Sequence, residues 1–184
     1  AGFTIRGSGP DYFDCGIWVS QGQVTVRDTH ITGNAAGFWA WCFDSTTCAI
    51  DITLEGNLIT ANSRSGVSSN EVPRLTLRGN TIVDNGEHGV TLNQSHSVAE
   101  NNIIVGNAGS GLVNQVGAVV RYNNVWGNGQ DYVGGGPGLG GLSLDPLFRD
   151  VAHGDYRLHA GSPAVGHGTP DGVDMGALPF MPVG

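Results

Sequence analysis

At 184 residues the chain is long enough to bury a sizeable core as one domain, and 31 glycines with 13% charged and 39% apolar residues exclude a helix-rich composition. A net charge of −8, with no lysine and all eight basic residues Arg, excludes a phosphate-backbone binder, which needs a clustered basic surface; no nucleic-acid partner is expected. No apolar run approaches the ~18–20 residues of a membrane span, so no membrane partner is expected, and the absence of a signal peptide decides little because processing removes one.

Gly2-Phe3-Thr4-Ile5-Arg6 reads as an alternating strand that begins inside a repeat, so a neighbouring domain or subunit is expected at an uncapped N-terminal end. From Gly16 a repeat can be set on two anchors. One is a glycine that opens a strand: Gly16, Gly37, Gly66, Gly89 and Gly111. The other is a hexapeptide with an apolar third residue and a final Asn. It runs Asn57-Leu58-Ile59-Thr60-Ala61-Asn62, then Asn80 to Asn85, Asn102 to Asn107 and Asn123 to Asn128, with a degenerate copy at Thr29 to Asn34. A second strand lies between the anchors, its inward pairs being Val24/Val26, Ile52/Leu54, Leu75/Leu77, Ser97/Ala99 and Ala118/Val120. Three short alternating strands per turn of roughly 22 residues specify a right-handed, single-stranded parallel β-helix, an all-β solenoid of about five to six coils.

The outward residues test that register. Arg27, Glu55, Arg78, Glu100 and Arg121 alternate in sign from coil to coil, as stacked strands ~4.8 Å apart would require. Thr25, Thr53 and Thr76 form a neighbouring row. The Asn rows read as corners: a buried Asn can satisfy turn groups above and below it, and Asn tolerates left-handed backbone angles. Both patterns are structural expectations.

Function is expected on the opening strand. If Ile17, Phe38, Val67, Val90 and Leu112 point inward, then Trp18, Trp39 and Trp41 point outward, followed by Asn70, Asn93 and Gln115 on the same face. Flat aromatic faces flanked by amides are a physical means of gripping sugar rings. A register slipped by one would bury Trp39 and Trp41 instead. The second coil carries an insertion around Cys42 and Cys48, which either form a disulfide, suiting an oxidising compartment, or stay unpaired; Cys15 is left over and reads as buried. Tyr12 and Phe13, with Asp11 and Asp14, would add an aromatic and acidic lip beside that insertion.

After Asn128 the repeat pattern dissolves. The coils are therefore assigned to residues 1–128, and residues 129–184 to a Gly-rich loop and a C-terminal capping segment of the same domain. Tyr132 to Gly141 lacks the Lys and following helix of a phosphate-binding loop. Leu142 to Phe148, Gly154 to Leu158, Gly161 to Val165 and Asp174 to Ala177, following Asn123 to Asn128, resemble the C-terminal end of bacterial right-handed parallel β-helix repeat proteins of the pectate-lyase-like superfamily. Here Gly166-His167-Gly168 stands where that family usually has Asp-Ala-Gly. The resemblance implies a secreted or cell-surface protein that binds or acts on a polysaccharide.

Three functions remain open on the sequence. One is a non-catalytic glycan-binding module using Trp18, Trp39, Trp41, Tyr12, Asn70, Asn93 and Gln115. Another is a polysaccharide lyase or glycoside hydrolase. A lyase here would have only Arg for its base, and a hydrolase needs facing carboxylates, for which Asp11, Asp14, Asp44 and Asp51 are the available cluster. The third is a structural rod assembling end to end. No cofactor is expected; Ca²⁺ at Asp44 and Asp51 with loop carbonyls is the alternative, and the six histidines show no metal-ligand spacing.

Overall fold

A computed structural model of the chain describes residues 2–9, 11, 13–43, 48–93, 96–115 and 117–181. In chain order the strands are β1 (Thr4–Ile5), β2 (Cys15–Val19), β3 (Gly22–Arg27), β4 (His30–Thr32), β5 (Ala36–Trp41), β6 (Ile50–Glu55), β7 (Leu58–Thr60), β8 (Val67–Asn70) and β9 (Arg74–Arg78). They continue with β10 (Thr81–Val83), β11 (Val90–Leu92), β12 (Val98–Glu100), β13 (Ile103–Val105), β14 (Ser110–Asn114), β15 (Val119–Arg121), β16 (Asn124–Trp126) and β17 (Gln130–Val133). Every third strand stacks in parallel on the one before. Sheet A is β1-β4-β7-β10-β13-β16, sheet B is β2-β5-β8-β11-β14-β17 and sheet C is β3-β6-β9-β12-β15. The chain is a right-handed parallel β-solenoid, as the repeat requires.

The register agrees with the spacing. Val24, Ile52 and Leu75 are successive partners in sheet C, as are Val26, Leu54, Leu77, Ala99 and Val120. These inward side chains meet Ile31, Ile59, Ile82, Ile104 and Val125 of sheet A and Phe38, Val67, Val90 and Leu112 of sheet B in one continuous core. The opening glycines are where that core leaves no room. A Cβ at Gly37 would stand 2.6 Å from the Gly66 carbonyl, 2.8 Å from Ile59 Cγ2 and 3.0 Å from Asn62 Nδ2.

Two buried Asn ladders hold the corners on either side of sheet A. In one, the backbone N and Nδ2 of Asn57 both donate to Asn80 Oδ1 (3.0 and 3.0 Å), those of Asn80 to Asn102 Oδ1 (2.9 and 2.9 Å) and those of Asn102 to Asn123 Oδ1 (2.9 and 2.8 Å). The second Nδ2 hydrogen reaches back to a carbonyl of the preceding sheet C strand, such as Leu54 O from Asn80 at 2.8 Å. Donors and acceptors are thus spent within the protein, which is what burial demands. The other ladder runs Asn34, Asn62, Asn85, Asn107 and Asn128, and ends where Asn128 N and Nδ2 donate to Asp131 Oδ1 at 3.1 and 3.0 Å. One detail corrects the sequence reading. The left-handed residue at each corner is the one before the ladder position: Asp28 (before Thr29), Gly56, Gly79, Asn101 and Tyr122 at one corner, and Gly33, Ala61, Asp84, Gly106 and Gly127 at the other. The ladder Asn is selected for its side-chain amide, and its neighbour carries the turn.

The coil path continues past Asn128, where the sequence reading ended it. β17 pairs with β14, Leu139 bridges to Arg121 and Leu142 to Asn124, so one more turn is laid on the stack. The chain then folds back across the outer face of sheet A. β18 (Phe148–Asp150), a short 3₁₀ turn (Val151–His153) and β19 (Asp155–Leu158) make an antiparallel hairpin. Tyr156, Leu158, Ala164 and Met175 then bury against Val83, Ile103 and Val105. Gly176 N donates to Asn101 O (2.7 Å) and Ala177 N to Thr81 Oγ1 (3.0 Å), fastening the strap.

Sheet C is closed by its own charges. Arg27 pairs with Glu55 at 3.1 Å, and Glu100 is held between Arg78 at 2.6 Å and Arg121 at 2.8 Å. The Glu100 side chain is only 6% exposed. Burial works to raise its carboxyl, but hydrogen bonds and charge from Arg121 and Arg78 outweigh that and hold it below the ordinary carboxylate range. The strap covers sheet A and the charge ladder lies on sheet C, so neither occupies the outer face of sheet B.

Candidate functional site

Two outward rows cross sheet B in the expected register. Trp18 pairs with Trp39, Trp39 with Ser68, Ser68 with Thr91 and Thr91 with Val113. In the next row Trp41 pairs with Asn70, whose Oδ1 accepts from Asn93 Nδ2 at 2.8 Å. Gln115 follows Asn114, the partner of Leu92, and is exposed at the end of this row. Phe38 and Ala40 are in the core, so Trp39 and Trp41 point outward, and the slipped register is excluded. Tyr12 lies outside the described residues.

The tryptophans do not form an open platform. Phe13, from the turn before β2, stacks on Trp39 with ring centroids 5.6 Å apart and planes within 12°. Trp39 stacks on Trp41 (6.3 Å, 7°), and Trp41 on Phe43 (5.0 Å, 23°). Trp18 closes the group against Phe13 (6.3 Å, 29°) and Phe43 (6.4 Å, 57°). Centroid separations of this size with nearly parallel planes are those of offset-stacked rings, which pack on one another without full face-to-face overlap. Trp39 is 6% exposed although it points away from the core, whereas Trp18 is 51%, Phe13 55% and Phe43 69% exposed. The accessible aromatic surface is therefore Trp18 with Phe13 and Phe43, while Trp39 is the buried ring on which Phe13 and Trp41 pack. Phe43 was the residue missed by the sequence reading. The alternation Trp39-x-Trp41-x-Phe43 carries past the end of the strand and was the signal that could have found it.

The insertion is pinned at its base. Cys42 and Cys48 form a disulfide with Cα atoms 6.0 Å apart, and Cys42 N also donates to Asn70 O at 3.1 Å. Cys15 remains a free thiol at the start of β2, pushed above its ordinary value by burial and, less, by the Asp14 carboxylate. At the border of the face Arg64 pairs with Glu87 at 3.1 Å beside Trp39.

Of the described candidate acids, Asp11 and Asp14 share a turn and Asp51 lies on another sheet. Asp11 and Asp14 sit in the turn before β2, with Asp14 Oδ2 accepting from Asp11 N at 2.8 Å. Asp51 is in sheet C, in register with Gln23 and Arg74, and Asp44 lies outside the described residues. Among the described residues no group of three or more His, Cys, Asp or Glu side chains is placed to hold a metal ion, and no helix is long and apolar enough to cross a membrane.

The family model for the right handed beta helix region matches residues 4–141, three quarters of the chain. The chain belongs to the right-handed β-helix family. No curated protein and no solved structure matches it. Within this β-helix the matched segment covers the coils through Gly141, and the strap over sheet A lies beyond it.

Proposed function

We propose that this β-helix is a non-catalytic glycan-binding module that holds a neutral polysaccharide on the outer face of sheet B, around Trp18. The observation that carries this reading is the half-exposed Trp18 ring, packed between Phe13 and Phe43 at the head of a row that continues through the uncharged Trp39, Ser68, Thr91 and Val113. A ring held by its neighbours loses little freedom on binding. Its face accepts the C–H side of a sugar, and hydroxyl and amide side chains nearby supply hydrogen bonds without charge. A disulfide in so short an insertion suits a secreted or cell-surface setting, where it would persist.

Affinity electrophoresis across neutral and anionic polysaccharides, run in EDTA, tests the reading. The protein is expected to be retarded by a neutral polymer without metal, and Trp18→Ala to lose at least about tenfold in affinity, the scale of a central aromatic anchor. Equal retardation of wild type and Trp18→Ala would overturn it.

A further inference from the structure

The stacked column does not end in open solvent at Phe43. That ring also forms one wall of a cleft of about 510 Å³, completed by Ser20, Gln21, Gly22, Cys42 and Cys48. The volume lies within the range of small-ligand sites. The cleft sits at the corner where β2 gives way to β3 and β5 to β6, so two adjacent coils build it. Among the described residues no side chain lining it is charged; Ser20 offers a hydroxyl and Gln21 an amide, and both are exposed.

Direction follows from the same residues. Trp39, Trp41 and Phe43 stand at alternate positions along one strand and its continuation, so the column and the cleft follow the strand, around the coil. The amides of Asn70, Asn93 and Gln115 instead run from coil to coil along the solenoid axis, and the first two already bond to one another. The two directions part at Trp41, which registers with Asn70.

We infer that the ligand lies across the solenoid axis, a neutral sugar chain with one ring against Trp18 and the next passing Phe43 into the corner cleft, where Ser20 and Gln21 meet its hydroxyls. This rests on the glycan reading of the Trp18 cluster. A cleft of about 510 Å³ holds a bounded length of chain, so affinity saturates once the cleft is filled.

The test is calorimetric titration of the intact protein with neutral gluco-, xylo- and manno-oligosaccharides from disaccharide upward. It is repeated for Trp18→Ala, Ser20→Ala and Gln21→Ala. The expected result is affinity that rises over the first few sugar residues and then levels. Ser20→Ala and Gln21→Ala should each lower affinity for the longer ligands about two- to tenfold, with the disaccharide unaffected. If Trp18→Ala weakens binding while the Ser20 and Gln21 variants match wild type at every length, the transverse site is wrong and the glycan reading stands. If no oligosaccharide binds, or Trp18→Ala binds like wild type, both fall.

Discussion

Asn80 and Asn93 are the same residue type in the same kind of row, one coil from a like neighbour, yet they are used oppositely. Asn80 is fully buried, and its side chain accepts from Asn57 N and Nδ2 and donates to Leu54 O and Asn102 Oδ1. Asn93 is partly exposed on sheet B and makes one bond, to Asn70, leaving donor and acceptor capacity facing water. A solenoid repeats whatever its stacking requires, so a row that runs through every coil with its hydrogen bonds closed is scaffold. A row that changes chemistry from coil to coil, as Trp18, Trp39, Ser68, Thr91 and Val113 do, is not required by stacking and is free to serve a ligand.

Substitution separates the two regions most sharply at those residues. Asn80→Ala strands several buried polar groups at ~1–3 kcal/mol each, so a loss of about 3 kcal/mol or more is expected from urea unfolding. Asn93→Ala should stay within about 0.5 kcal/mol of wild type. Comparable losses at the two positions would break the distinction.

Trp39→Ala tests the division within the aromatic group. Because Trp39 is covered by Phe13 and Trp41, its loss should cost roughly 3 kcal/mol of stability, near the low end for a buried aromatic. It should also loosen Phe13 and Trp41, reducing the near-ultraviolet circular dichroism signal well beyond the loss of one indole. An unchanged melting transition would mean that Trp39 supports nothing.

A smaller effect is expected in sheet C. Glu100 has a carboxyl held below its unfolded value, so the native state binds fewer protons than the unfolded chain just below the ordinary carboxylate range. Its contribution is present above that range and is lost as pH falls through the depressed value. Glu100→Gln should cost about 1–2 kcal/mol at neutral pH, the half-exposed arginines discounting the pair. The difference from wild type should shrink on acidification, and a gap that widened instead would contradict the assignment.

The fold was legible because its determinants repeat. The spacing of Asn57, Asn80, Asn102 and Asn123 fixed the register from which the Arg27-to-Arg121 ladder and the inward face of sheet B followed. The site was legible only in part. That Trp18, Trp39 and Trp41 face outward follows from alternation, which also carries on to Phe43, but Phe13 comes from an unrepeated turn, and no periodicity says that it packs on Trp39. The last coil and the strap were hidden for the same reason. Leu139 and Leu142 continue the solenoid through single bridges, and residues 145–181 contact sheet A through Tyr156, Leu158, Ala164 and Met175 without a repeat to announce them.

The most direct measurement is a ¹H–¹⁵N titration of the protein with the neutral oligosaccharide it binds most tightly, following side-chain signals. The indole N–H of Trp18 should shift together with the backbone amides of Phe13, Gln21 and Phe43, while the side-chain amides of Asn57, Asn80, Asn102 and Asn123 stay in place. Shifts centred on the Asn ladders or the sheet C charge row, with Trp18 unmoved, would contradict the account.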